Sequence, residues 1–161
     1  MKVGTAALLA CVVGGAAGLS GCVSEPATIA GVVGPAGPVL SRGPTGKLVV
    51  YSATTAYTSE QSRYALHTSY TLYDAKGAQL QKVENRTGLF AADPITLTLA
   101  AGQYRVRALA TSAGSVIVPV LVAPGRTTTV YLDDTPVPQD LRTSANEVKL
   151  PDGHIVGWRA Q

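Results

Sequence analysis

The sequence predicts an all-β fold: about seven antiparallel strands forming a β-sandwich behind a flexible N-terminal tether. Three observations carry this. Residues 47–133 fall into short polar–apolar alternations, separated by turn signals at nearly regular spacing. Thr and Val are abundant, and the aromatic set is dominated by seven Tyr against one Phe and one Trp, a composition suited to pleated, half-buried surfaces. The runs also lack a 3.6-residue period and are interrupted too often for helices.

Taken in order, residues 1–21 come first. Lys2 is the only charge ahead of an apolar stretch over 6–19, and small residues follow. The stretch is too short, and too rich in glycine, for the roughly 20 apolar residues that span a bilayer. Leu19-Ser20-Gly21-Cys22 then resembles a bacterial lipobox. The resemblance implies cleavage before Cys22, a diacylglycerol on its thiol and an acylated (palmitate-type) amino terminus, so the mature chain begins there. A competing box at Leu8-Leu9-Ala10-Cys11 would leave only half an apolar region, so Cys11 is expected to be discarded. Cys22 is then the one remaining cysteine, no internal disulfide is available, and the domain must be held by its apolar core. Several acyl chains on one residue hold a membrane stably where one chain does not. Val23 stands where lipoproteins kept at the inner membrane typically carry Asp, so the resemblance favours the outer membrane of a Gram-negative cell envelope.

Residues 22–46 carry Glu25-Pro26, Gly34-Pro35-Ala36-Gly37-Pro38 and Gly43-Pro44-Thr45-Gly46, breakers that predict a tether with a mean reach of about 25 to 30 Å. The Gly and Pro spacing keeps no strict triplet, which excludes a collagen helix. Within this stretch the apolar patch 29–33 is suited to a short edge strand or to the membrane interface.

The first predicted strand is 48–55. The second, 63–73, puts Tyr64, Leu66, Tyr70 and Leu72 on one side and His67, Thr71 and Tyr73 on the other. Asp74-Ala75-Lys76-Gly77 turns the chain into 79–84, with Leu80 as the inward anchor. Strand 94–99 sends Ile95, Leu97 and Leu99 to one face; Ala101-Gly102 turns; 104–110 sets Tyr104, Val106 and Ala108 against Arg105 and Arg107. The run 116–122 is nearly all apolar, as in a central strand, although Pro119 argues for an edge or a bulge. After Pro124-Gly125, strand 127–132 points Val130 and Leu132 inward and Thr127, Thr129 and Tyr131 outward.

The stretch from Pro94 through Ala101-Gly102-Gln103-Tyr104 to Ala108, with Pro124-Gly125-Arg126-Thr127 and Val130-Tyr131-Leu132, resembles carboxypeptidase-regulatory-like, prealbumin-like and PEGA-type domains. The region around Thr54 lacks the Pro-x-Gly-Ala and Asp-Gly pattern of PEGA modules, so the broader Ig-like, prealbumin-like label fits better. The resemblance implies a non-catalytic accessory or adhesion module. Residues 134–161 form a tail in which 147–150 and 154–158 are suited to a late hairpin through Pro151-Asp152-Gly153. Trp158 either buries a large area against the domain or is offered to a partner.

The charge of +3 falls to about +2 once Lys2 is removed, and its scattered cations argue against a nucleic-acid partner. His67 and His154 are far apart and no further Cys or His completes a metal set. His67 is expected to face solvent from mid-strand. Asp133-Asp134 is the only carboxylate pair, and adjacent strand residues point to opposite faces, so it suits a solvated strand end better than acid–base work. No Gly-x-Ser-x-Gly elbow or phosphate loop occurs in the mature chain. The expectation is a protein without cofactor or enzymatic activity, lipid-anchored through Cys22, whose sandwich docks on another envelope protein. Trp158, Tyr131 and Tyr70 are the candidate contact residues. The alternative is a module that binds a glycan or small ligand through exposed tyrosines drawn from Tyr51, Tyr57, Tyr64, Tyr70, Tyr73 and Tyr131.

Overall fold

The computed structural model describes residues 27–35, 44–58, 63–86, 93–138 and 146–160. Among them the chain is all-β, with twelve strands and no helix. In order these are β1 (Thr28–Ile29), β2 (Thr45–Tyr51), β3 (Thr54–Thr58), β4 (Arg63–His67), β5 (Tyr70–Asp74) and β6 (Gln79–Val83). Then follow β7 (Thr96–Ala100), β8 (Gly102–Ala110), β9 (Gly114–Val122), β10 (Thr127–Tyr131), β11 (Glu147–Lys149) and β12 (Ile155–Trp158). A five-stranded sheet of order β1-β9-β8-β5-β6 and a three-stranded sheet of order β10-β2-β7 share one core. Two hairpins, β3–β4 and β11–β12, complete the described chain.

Alternation builds that core. Every second residue of β9 (Val116, Val118, Val120, Val122) is buried, and Val106, Ala108 and Ala110 of β8 join them from the same sheet. Leu48 and Val50 of β2 and Val130 of β10 meet them from the other, with Ile95, Leu97 and Leu99 packed at the margin. Each fully buried Val or Leu contributes roughly 1.5–3 kcal/mol of transfer free energy, which is how the two sheets are held together. Gly77, at φ 91°, completes the β5–β6 turn, and the Asp74 carboxylate accepts the Ala78 amide there at 2.8 Å.

The expected alternations reappear in β7, β8 and β9, and the late hairpin forms as β11–β12. Other expectations are revised. Part of the tether is structured: the edge strand to which the 29–33 patch is suited forms as β1 against β9, and β2 begins at Thr45. Two pairings, β1 with β9 and β10 with β2, are parallel rather than antiparallel. The strands expected at 48–55 and 63–73 each break in two, because β2 stays in the three-stranded sheet while β5 joins the five-stranded one, and the chain between them leaves as the β3–β4 arm. Leu80 is exposed, at the register shift opposite Leu72 and Tyr73, and Val83, opposite Tyr70, is the buried anchor of β6. Pro119 does sit at a bulge. The Ala30 amide bonds the Ile117 carbonyl and the Val33 amide bonds the Pro119 carbonyl, both at 2.8 Å. One more residue lies between the donors than between the acceptors, where Pro119 has no N–H to give.

The β11–β12 hairpin closes one side of the sandwich. The Gly34 amide donates to the Trp158 carbonyl at 2.7 Å, and Gly157 lies so close to Val33 and the Thr129 carbonyl that a Cβ would stand 2.5 Å from Val33 Cγ1. The hairpin thereby bridges the β1 edge of one sheet and β10 of the other. Thr128 Oγ1 ties the same side, donating to the Leu121 carbonyl at 2.6 Å. From that seam the sheets run out to β6 and β7, which are their opposite edges.

Candidate functional site

Where the β3–β4 arm leaves the sandwich, Ser52, His67, Asn85 and Asp133 are all buried. Buried polar groups must find partners, and here they find one another and the backbone. The Asn85 amide donates to the Val50 carbonyl at 2.7 Å and to Ser52 Oγ at 2.9 Å, while its carbonyl accepts the Ile95 amide at 3.2 Å. Ser52 Oγ donates to the Thr68 carbonyl at 2.7 Å. Backbone bonds from Thr68 to Ala53 and from Ala53 to Leu109 complete the base of the arm.

Ser52, His67 and Asp133 have the composition of a hydrolytic triad, but their geometry is different. His67 Nδ1 lies 2.7 Å from the backbone carbonyl of Ser52, a bond that assigns the proton to Nδ1. Asp133 Oδ2 is 3.9 Å from the same nitrogen and accepts the Thr135 hydroxyl at 2.6 Å, while Oδ1 accepts the Thr135 amide at 3.1 Å. The Ser52 hydroxyl is committed to Thr68 and Asn85. A nucleophile needs an adjacent base and an exposed position, and this serine has neither, so the cluster anchors the arm. His67 is therefore buried, correcting its expected place in solvent, and Asp133 closes a turn rather than ending a strand in water.

Beside this cluster an aromatic row crosses the outer face of β10 and β2. Tyr131 and Tyr51 are register partners in the parallel pair and stack with centroids 5.2 Å apart, their planes 7° from parallel. His67 meets Tyr51 edge-on at 5.7 Å and Trp158 meets Tyr131 edge-on at 6.0 Å, the offsets that ring quadrupoles favour. His154 Nε2 reaches the Tyr131 carbonyl at 3.2 Å from the β11–β12 turn. In that turn Asp152 is held below the usual carboxylate range by the Ser112 hydroxyl, then by the His154 amide.

The three candidate contact residues accordingly lie inside. Trp158, Tyr131 and Tyr70 expose 4%, 6% and 2% of their surfaces, whereas Tyr57, half exposed, lies opposite Tyr64 across the β3–β4 hairpin. Tyr131 alternates outward as expected, but the C-terminal hairpin covers it. Burial pushes the Tyr70 phenol well above its ordinary value. Its hydroxyl, Trp158 Nε1 and Thr68 Oγ1 have no hydrogen-bond partner among the described residues. Leu19, Ser20, Gly21 and Cys22 lie outside the described residues.

Two features of the described surface bear on function. One is a groove of about 330 Å³ at the arm base, lined by Tyr57, Leu66, His67, Thr68, Glu84 and Arg86 among others; Tyr57 is half exposed there. The other is the pair of sheet edges at β6 and β7. Reasoning from the sequence missed Ser52, Asn85 and the edges. A lone Asn in a loop signal looks like any turn residue, and which strand ends a sheet is a property of pairing order. Compared with known proteins, the chain matches no family model, no curated protein and no solved structure.

Proposed function

We propose that the chain is a lipid-anchored lipoprotein of the cell envelope, held through acylated Cys22 to the outer membrane. Its Ig-like, prealbumin-like sandwich acts as a non-catalytic adaptor for another envelope protein. The observation that carries this reading is the asymmetry of the sandwich. One side is bridged by β12 and the buried Trp158, with Ile29 and Val32 exposed beside them, while the other presents the unbridged β6 and β7 edges and the exposed Leu80. Sheet edges bind extended partners through main-chain hydrogen bonds. Burial of Tyr70 and Tyr131 favours the adaptor reading over a glycan platform built on those two; the second reading draws support from Tyr57, opposite Tyr64 on the arm, and from the groove beside Thr68, Glu84 and Arg86.

The test is in-cell crosslinking of the anchored protein from a photoreactive residue at Leu80, compared with one at Tyr57. A recurrent protein partner captured from Leu80 is the expected result. Glycan captured from Tyr57, with no protein from Leu80, would move the function to the groove. Fractionation of Cys22→Ser tests the anchor separately: the variant leaves the membrane fraction, and its retention there would end the lipoprotein reading.

A further inference from the structure

The β7 edge has the properties of a self-pairing strand. Natural edges are guarded by charge, proline, bulges or shortness. Edge strand β6 carries Lys82 and faces a register shift, and β1 is two residues long. By contrast β7 reads Thr-Leu-Thr-Leu-Ala, without charge or proline, and pairs with β2 in unbroken register.

Parity decides which backbone groups it offers. The Lys47 amide donates to the Arg126 carbonyl, toward β10. A strand residue points its N–H and C=O to the same side, and successive residues alternate, so Gly46 and Leu48 turn toward β7. Their register partners Leu99 and Leu97 answer them, and the Ala101 amide, donating to the Pro44 carbonyl at 2.8 Å, continues the same parity. Thr96, Thr98 and Ala100 therefore direct their N–H and C=O groups away from β2; no other described strand pairs on that side, where the Ala100 carbonyl accepts the Tyr104 hydroxyl at 2.9 Å.

We propose that this edge pairs with β7 of a second copy, antiparallel about a two-fold axis through Thr98. The sequence is self-complementary in that register. Thr98 faces Thr98 of the second copy, with which it exchanges two hydrogen bonds, and each Thr96 faces an Ala100, whose amide donates to the Thr96 carbonyl while its own carbonyl holds the Tyr104 hydroxyl. Leu97 meets Leu99 across the junction on the core-facing side, extending the packing of two half-buried leucines. Charge permits the approach. Lys47, beside Thr98 on β2, lies three strand spacings, about 14 Å, from its symmetry mate, beyond the ~8 Å screening length of physiological salt. A five-residue edge buries less than the ~1,200 Å² of a stable soluble interface, so the pairing is weak in dilute solution.

The experiment uses the full chain in its native membrane. Thr98→Cys treated with a short bis-maleimide gives a covalent homodimer. Thr96→Cys gives at least fivefold less, because its symmetry mate lies about 14 Å along the strand, and Thr96→Cys with Ala100→Cys restores the yield. Adding Thr98→Pro to that double variant removes only an outward N–H and lowers the crosslinked dimer at least tenfold, with unchanged thermal unfolding. Thr98→Lys, which leaves the backbone intact, does the same should the proline disturb the strand. No homodimer from Thr98→Cys, or equal yields from Thr96→Cys and Thr98→Cys, would overturn the proposal. Capture of a different protein at Thr98 would also overturn it, by giving the edge to the adaptor partner; the Leu80 crosslinking reads that adaptor function independently.

Discussion

At the scale of single residues, the buried hydroxyls and amides separate groups that stabilise the fold from groups that the fold merely tolerates. Tyr70 is buried with an unpartnered hydroxyl, so Tyr70→Phe is expected to be neutral or to stabilise by up to about 1 kcal/mol in urea denaturation. Its raised pKa carries a sign. The phenol of the unfolded chain ionises near pH ~10 while the folded one keeps its proton longer, so stability present below that pH is lost as pH rises above it. Tyr70→Phe should flatten this alkaline slope; an unchanged slope between pH 8 and 11 would assign it to other groups. Asn85 is the opposite case. Asn85→Ala strands the Val50 carbonyl and the Ile95 amide and should cost about 2–3 kcal/mol, read as a lower urea midpoint at constant m-value.

At the scale of elements, the C-terminal hairpin is part of the sandwich. Trp158→Ala removes the largest side chain at the seam and should cost about 3–5 kcal/mol. Gly157→Ala should also destabilise, because φ 153° disfavours a side chain and the new Cβ would press on Val33. A thermal scan in which either variant melts with the parent would show that the seam is dispensable. The element scale is also where legibility in the sequence changes. Alternation revealed β7, β8 and β9, because a buried face imposes a period of two on any strand. It concealed the corners at Ser52-Ala53 and Thr68-Ser69, because polar–apolar alternation continues through a change of sheet. Leu80 was misread for a related reason: it and Val83, three residues apart, fall on opposite faces, and only the register that sets Val83 opposite the buried Tyr70 decides which looks inward.

At the scale of the whole molecule, both sheets and the hairpin draw on one core, so unfolding should be a single transition. Trp158 is the only tryptophan of the chain, and its burial predicts blue-shifted emission that moves red with the same urea midpoint as far-UV circular dichroism. A Trp transition preceding the dichroism change would mean that the hairpin opens independently.

What the sequence determined by itself is the set of local preferences: β-rich alternating runs, turn residues between them, a breaker-rich N-terminal stretch and the absence of helical periodicity. These follow from side-chain sterics and from the two faces of a strand, which neighbouring residues already encode. Tertiary structure alone decided the pairing order, the parallel β1–β9 and β10–β2 contacts, the burial of His67, Tyr131 and Trp158, and the exposure of the β7 edge. Each of these depends on which distant segment arrives alongside, and a residue's neighbours in sequence carry no record of that.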